Sequence, residues 1–199
     1  MPTTRKERAA ETEVALKAAA KRVFAERGYL NTKITDITAE AGRAAGSFYN
    51  HFPSKEALLE ALLADMLASG DVAALDPRHS ADFTDPASIR WHVTTFWSTY
   101  RAHLPVFVAL REASMVDPAF RARLRELMAA DGHIVGHLSG VRNLPGAPHL
   151  VISAFQAVLS QFAWTGLVEG GDGSGPAPTD EEAVELLTTL LHSGIAGRG

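Results

Sequence analysis

The chain has 199 residues, of which 46% are hydrophobic and 21% are charged, with no cysteine and a formal net charge of −4. These values indicate one or two globular domains, and they exclude disordered and collagen-like chains, disulfide frameworks, thiolate nucleophiles and cysteine-ligated metal clusters. The charge is uneven: residues 1–55 carry ten Lys/Arg against six Asp/Glu, a net charge of +4, whereas the remainder carries nine against 17, a net charge of −8. A basic module of this kind suits a surface that meets a polyanion.

The segment from Met1 to Lys21 is polar and charged. It lacks the apolar stretch of a signal peptide, so we expect a cytoplasmic protein. We expect its bases Arg5, Lys6 and Arg8 to lie in a disordered tail rather than in an arm that enters a DNA groove.

Four helices are predicted in the first 68 residues. Apolar residues recur at spacings of three and four in a helix that ends at Gly28, in a short helix that ends at Gly42 and in a third that Pro53 closes. Ser54 is then predicted to cap a longer fourth helix, with Glu56 in its first turn. The apolar faces comprise Leu16, Ala19, Ala20, Val23 and Phe24; Ile34, Ile37 and Ala41; Ala45, Phe48, Tyr49 and Phe52; and Leu58, Leu59, Leu62, Leu63, Met66 and Leu67.

A connection rich in Gly, Asp, Pro and Ser runs from Ser69 to Pro86, and every later apolar pattern is helical. Asp85 before Pro86 and Asp117 before Pro118 are start signals, whereas Pro105 is expected to break or kink the helix that precedes it. A further helix is predicted from about His149 to Val168, and the last helix begins with a capping box formed by Thr179 and Glu182. No segment alternates with the period of a strand, so the predicted fold class is all-α.

Two short helices with a glycine-containing turn, from about Thr35 to His51, fit a helix-turn-helix whose second helix enters the major groove of DNA. From about Leu16 to Leu63 the residue order strongly resembles the N-terminal domain of the TetR family of transcriptional repressors. The resemblance implies a three-helix DNA-binding domain followed by a helical ligand-binding and dimerisation domain. It is carried by Gly28-Tyr29, Thr32, Asp36-Ile37, Ala41-Gly42, Gly46-Ser47-Phe48-Tyr49, His51-Phe52, Ser54-Lys55 and Leu58.

The side chains of the third helix can offer donors to phosphates and base edges, provided that Phe48 and Phe52 pack it onto a core. Lys55 adds a cation at the start of the fourth helix, which suits a phosphate, and Thr32 is expected to act likewise where the second helix begins. The resemblance implies such roles for these same positions. The predicted DNA-binding residues are Thr32, Arg43, Ala45, Gly46, Ser47, Tyr49, Asn50, His51 and Lys55, among which Arg43, Ala45, Ser47 and Asn50 are expected to set specificity and Tyr49 is either a contact or core.

The chain departs from the family pattern at Arg43-Ala44-Ala45, where a small aliphatic residue, a serine or threonine and then a basic residue are usual. Ala44 lacks the hydroxyl that caps a helix, a loss of about 1 kcal/mol. The departure affects the start of the third helix and one phosphate contact.

Most of the aromatic residues lie in the acidic part of the chain, where they either line a pocket for a small hydrophobic or aromatic effector or pack as core. His133 and His137 share a helical face, but with no cysteine and no clear third ligand we expect no metal and no cofactor. The predicted pocket residues are Trp91, Phe96, Trp97, Tyr100, Phe107, His133, His137, Phe155 and Phe162.

The stretch from Leu144 to Val168 contains no charged residue. Prolines at its start and recurring Ser, Gln and Thr argue against a membrane span. We expect this helix and the last one to pair with their symmetry mates in a homodimer, as the family does; a monomer that buries the helix is the alternative.

The predicted protein is therefore not an enzyme but a ligand-responsive regulator, in which residues 1–68 bind a palindromic operator in double-stranded DNA and residues 69–199 bind effector and form the dimer. An effector is expected to change the spacing of the recognition helices, with the fourth helix as the lever, and so to release a repressor. A helical small-molecule carrier or enzyme, and an activator or architectural DNA binder, are the alternatives.

Overall fold

The computed structural model describes residues 4–73, 75–130, 138, 141 and 144–196. Within these ranges the chain forms nine α-helices and no strand, which confirms the predicted all-α class. The helices are α1 Arg5–Arg27, α2 Ile34–Glu40, α3 Ala45–Tyr49, α4 Lys55–Ala73, α5 Pro86–Ala102, α6 Leu104–Val116, α7 Pro118–Ala130, α8 Pro148–Leu167 and α9 Asp180–Ala196.

The helices form two compact units. Unit 1 comprises Met1–Ser69 with Pro105–Met128, and unit 2 comprises Gly70–Leu104 with Ala129–Gly199. Helix α6 and most of α7 belong to unit 1 with the N-terminal helices, whereas the predicted division assigns residues 69–199 to the second domain. A helical apolar stripe does not say which partner it will bury against, so local periodicity could not reveal this return of the chain.

Unit 1 is built around one apolar core. The whole predicted face of α1 is buried, and α4 contributes the predicted leucines and a methionine. Phe48 and Phe52 are buried as expected, whereas Tyr49 of the same predicted face is 61% exposed. The core is completed from α6 and α7 by Val106, Ala109, Leu110, Ala113 and Phe120.

Helix α1 begins earlier than expected and includes Arg5, Lys6 and Arg8. Thr4 and Glu7 form a capping box, in which the Glu7 N–H donates to Thr4 Oγ1 at 3.2 Å and the Glu7 carboxylate accepts from the Thr4 N–H. The prediction of a disordered tail is therefore wrong. The capping signal formed by Thr4 and Glu7 is present in the sequence, but the prediction did not use it.

Unit 2 is organised on α5, against which α8 and α9 pack. Asp85 caps α5 through the Ala87 N–H at 2.9 Å, with Pro86 as first residue, as predicted. α5 ends at Ala102, close to the break expected at Pro105. The predicted capping box of α9 is also present, since the Thr179 N–H donates to Glu182 Oε2 at 2.8 Å.

Candidate nucleic-acid interface

Helices α2 and α3 are joined by a tight turn at Ala41 to Ala44. Gly42 has a φ of +62°, a conformation that residues with a side chain rarely adopt. The Arg43 N–H donates to the Thr38 carbonyl oxygen at 2.8 Å, which folds the chain back after α2. The turn and the two short helices form a helix-turn-helix.

Helix α3 has only five residues, too few to be stable alone. It is held by Phe48, which is fully buried and lies 5.7 Å, centroid to centroid, from the Phe52 ring. Its N-cap, Ala44, makes no side-chain capping hydrogen bond, as the sequence predicts. Packing from beneath therefore holds α3 in place.

The outer surface of α3 brings most of the predicted DNA-binding residues together. Arg43, Ala45, Gly46, Tyr49 and Asn50 are exposed, and a Cβ added at Gly46 would meet no atom within 4 Å. Two further members, Ser47 and His51, are half-buried. Ser47 Oγ donates to the Ala44 carbonyl oxygen at 2.7 Å, so this hydroxyl supports the first turn of α3.

Thr32 is 3% exposed, and its hydroxyl donates to the Gly28 carbonyl oxygen at 2.6 Å. It also lies before α2, whose N-cap is Lys33, with the Lys33 N–H donating to Asp36 Oδ2 at 2.8 Å. Thr32 thus lies two residues before Ile34, the first residue of α2, and the burial of its side chain argues against a direct contact with phosphate.

Lys55, the first residue of α4, is half-buried. Its Nζ donates to the carbonyl oxygens of Tyr29 and Thr32 at 2.7 and 2.8 Å and lies 4.0 Å from the centroid of the Tyr29 ring. Two of its three N–H donors are thus used within the protein. Burial lowers the pKa of Lys55, and the nearby carboxylates of Glu56 and Glu112 partly offset that shift.

Tyr29 is the centre of this network. Its hydroxyl donates to Glu56 Oε1 at 2.6 Å, and burial followed by the Glu56 carboxylate raises its pKa far above the ordinary value. Its backbone N–H donates to Glu112 Oε2 of α6 at 2.7 Å. Neither Tyr29 nor Glu112 was among the predicted site residues. They are 83 positions apart in the sequence, so no local pattern indicates their contact.

The predicted pocket residues of unit 2 pack tightly where they are described. Trp97, Tyr100 and Phe155 are buried, and the Trp97 indole donates to Asp180 Oδ1 at 2.8 Å. Trp91, Phe96 and Phe162 are half-buried, and Phe162 lies 6.0 Å from Trp97 between ring centroids.

The remaining predicted pocket residues do not join this group. Phe107 packs against the core of unit 1, because α6 belongs to that unit. His133 and His137 lie outside the described residues. A cleft of about 280 Å³ in unit 2 is lined by none of the predicted residues; its walls include Pro86, Ala87, Arg90, Glu185, Thr188 and His192.

Helix α8 is 20 residues long and, by length and composition alone, apolar enough to cross a membrane. Only 22% of its most apolar 18-residue stretch is buried within the chain. Large apolar side chains are exposed on both α8 and α9: Leu150 is 59%, Val158 42%, Leu186 46% and Leu190 54% exposed. Packing within the chain therefore leaves part of the apolar surface of both helices exposed.

A family model described as bacterial regulatory proteins of the tetR family matches residues 16–62, which include the whole helix-turn-helix. The repressor DhaR of Mycobacterium sp. strain GP1 is 63% identical over 35 residues, which are 18% of this chain and 18% of DhaR. The regulator EthR of Mycolicibacterium smegmatis is 27% identical over 111 residues, which are 56% of this chain and 51% of EthR. The chain spans about half the length, or less, of these two curated relatives.

The fold similarity extends over nearly the whole chain. A structure of the transcriptional regulator FadR from Bacillus subtilis, in complex with stearoyl-CoA, matches with a TM-score of 0.74 and 20% sequence identity. The alignment covers 94% of this chain and 99% of that FadR chain. The chain therefore has the same fold as that structure.

Proposed function

The chain belongs to the TetR family of bacterial regulatory proteins, and we propose that it is a ligand-responsive repressor that binds a palindromic DNA operator as a homodimer. The observation that carries this proposal is the exposed surface of α3, which stands on the buried ring of Phe48 and presents polar groups outward. Family membership favours this function over a carrier or an enzyme.

We assign the DNA contacts by chemistry. The guanidinium group of Arg43 can donate hydrogen bonds to O6 and N7 of one guanine at the same time, so Arg43 is proposed to read one base pair. Tyr49, Asn50 and His51 are proposed to donate to phosphates or base edges, and the third N–H donor of Lys55 to a phosphate. Exposed Ala45 and Gly46 permit close approach of the backbone.

The homodimer is proposed to form through α8 and α9. Their exposed Leu150, Val158, Leu186 and Leu190 form apolar surface that pairing of the two helices with their symmetry mates would cover. This assignment also explains the apolar length of α8 without a membrane, in keeping with a cytoplasmic regulator. The two copies of α3 would then lie about 34–36 Å apart, one turn of DNA.

The effector is proposed to be a small hydrophobic or aromatic molecule that binds in unit 2. The aromatic residues of α5 and α8 supply apolar surface there, and FadR, which shares the fold, binds stearoyl-CoA. By linkage, an effector that prefers a different separation of the α3 helices lowers operator affinity. Helix α4 is the proposed lever because it runs from unit 1 across the boundary after Ser69.

The test is selection of bound duplexes from fragments of the source genome, followed by affinity measurements on the selected sequence over a range of salt concentrations. Lys55→Ala should weaken binding to all sequences alike and reduce the salt slope by about one, whereas Arg43→Ala should relax preference at one base pair. Arg78→Ala, which removes an exposed base from unit 2, is the control and should change neither quantity. A wild-type protein that selects no sequence would refute the proposal.

A further inference from the structure

Glu112 of α6 joins that helix to the turn that follows α1. Its Oε2 accepts the Tyr29 N–H at 2.7 Å and the Leu30 N–H at 3.2 Å. Both N–H groups lie just beyond the end of α1 at Arg27. One charged oxygen therefore fixes two successive peptide groups, and hydrogen bonds to a charged acceptor are about twice as strong as neutral ones.

The same turn holds the cation at the start of α4. The Tyr29 carbonyl oxygen accepts from Lys55 Nζ, and the Tyr29 ring lies beneath the ammonium group. The Tyr29 hydroxyl is fixed by Glu56, the next residue of α4. Movement of Tyr29 would thus displace two partners of the Lys55 ammonium group, the Tyr29 carbonyl oxygen and the Tyr29 ring.

Helix α6 is itself firmly placed in unit 1. Val106 and Ala109 are buried with Leu110 and Ala113 in the core that also contains Phe48 of α3. Glu112 is half-buried, and a Cβ added at Gly28 would come within 3.2 Å of its Oε1. The glycine thus leaves the carboxylate room to approach the turn.

We infer that Glu112 is a positioning residue for DNA binding, which holds Tyr29 so that Lys55 presents its remaining donor to a phosphate. The inference rests on the proposed function, because it concerns how one proposed DNA contact is kept in place. It makes α6 a second element, besides α4, through which unit 1 controls the phosphate contact. The charge of Glu112 also favours the ammonium form of Lys55.

The experiment is a double-mutant cycle with Glu112→Ala and Lys55→Ala, using a duplex that the wild-type protein selects from a randomised pool. Affinity is measured by fluorescence anisotropy at several salt concentrations. Glu112→Ala should lose about tenfold in affinity and reduce the salt slope by about one, and the double variant should bind no more weakly than Lys55→Ala. The control is Glu60→Gln, which removes the charge that pairs with Arg123 elsewhere in unit 1 and should change neither quantity.

Glu112→Gln keeps an oxygen acceptor for both N–H groups but not the charge, so it tests the inference even if the alanine variant does not fold. We expect it to lose about threefold in affinity, in line with the weaker neutral bonds. A wild-type affinity and salt slope in Glu112→Gln, with only a lower melting temperature, would make the residue purely structural and overturn the inference. Losses that multiply in the double variant would also overturn it, whereas a wild-type protein that selects no duplex would refute the proposed function on which the inference rests.

Discussion

Tyr29 shows how a single buried residue can position the proposed DNA-binding surface without being part of it. Its backbone, ring and hydroxyl each contact a different charged side chain, namely Glu112, Lys55 and Glu56. None of these contacts lies on the exposed face of α3. The residues that position a binding surface can therefore be buried, even where the residues proposed to touch DNA are exposed.

At this scale Gly28 should be more sensitive to substitution than Gly42. Both have positive φ, but Gly28 combines a φ of 73° with a ψ of 161°, a region open essentially to glycine alone, and its added Cβ would meet Glu112. We expect Gly28→Ala to lower the free energy of unfolding by about 2–3 kcal/mol and Gly42→Ala by about 1 kcal/mol. Urea denaturation measures both; equal losses would show that the contact with Glu112 is irrelevant to stability.

The Glu56 carboxylate should make unit 1 sensitive to acid. Burial by itself raises its pKa, but hydrogen bonds, first from the Tyr29 hydroxyl, outweigh burial and leave the pKa below the ordinary 4.5. The folded state therefore binds fewer protons than the unfolded state, so this group stabilises the fold above about pH 4.5 and the stabilisation is lost as the pH falls through the folded-state pKa.

Denaturation by urea over a series of pH values tests this expectation. The free energy of unfolding of Glu56→Gln should fall less steeply below about pH 4.5 than that of the wild type. Exposed Glu126→Gln is the matched control and should keep the wild-type dependence. An unchanged pH dependence in Glu56→Gln would contradict the role given to the Tyr29 hydrogen bond.

At the scale of elements, α1 and α3 differ in what stabilises them. α1 is 23 residues long, with a capping box at its start and a buried face of five residues. α3 has five residues, no capping side chain and one fully buried ring, that of Phe48. The helix proposed to read DNA therefore depends on tertiary packing far more than the helix that supports it.

The uncapped start of α3 predicts that stability can be gained there. Ala44→Ser supplies a hydroxyl that can accept from an N–H of the first turn, and it should raise the free energy of unfolding by about 1 kcal/mol. Ala39→Ser, at an exposed position in the last turn of neighbouring α2, supplies the same hydroxyl without a cap and should lower the free energy of unfolding by about 0.5 kcal/mol. Equal effects of the two substitutions would show that capping is not the limiting feature of α3.

At the scale of the whole molecule, the chain forms two units, each built from two separate segments of the chain. Helix α6 and most of α7 belong to unit 1, although they follow α5 of unit 2 in the chain. α8 and α9 pack on α5 yet keep large apolar side chains exposed. We ascribe these exposed side chains to the proposed dimer interface, since large apolar patches on a folded chain mark surfaces of association.

Charges introduced on this surface should dissociate the proposed dimer. The double variant Leu186→Glu with Leu190→Glu should sediment as a monomer under conditions where the wild type sediments as a dimer, because desolvated carboxylates oppose the interface. It should also lose operator affinity, since one α3 alone contacts one half-site. Leu127→Glu, at similar exposure on α7, is the control and should remain dimeric. A wild-type monomer in sedimentation would contradict the proposed assembly.

Much of unit 1 could be predicted from the sequence. The apolar face of α1, the glycine turn before α3, the missing cap at Ala44 and the burial of Phe48 all follow from residues a few positions apart. The resemblance to the TetR family likewise rested on this local order. The capping box at Thr4 is a local signal that the prediction of a disordered tail did not use. The packing of Phe107 against the core of unit 1 depends on distant neighbours.

The sequence by itself determined the all-helical class and most helix ends, because hydrophobic periodicity and capping act over three or four residues. It could not determine that α6 packs in unit 1 or that Glu112 reaches Tyr29, since those choices depend on which apolar faces meet after long loops close. Only the tertiary structure decided that Lys55 is bound to two carbonyl oxygens of the chain. The sequence shows that residue 55 is a lysine and therefore carries a positive charge, whereas the hydrogen-bond partners of that lysine are set by segments that folding brings together.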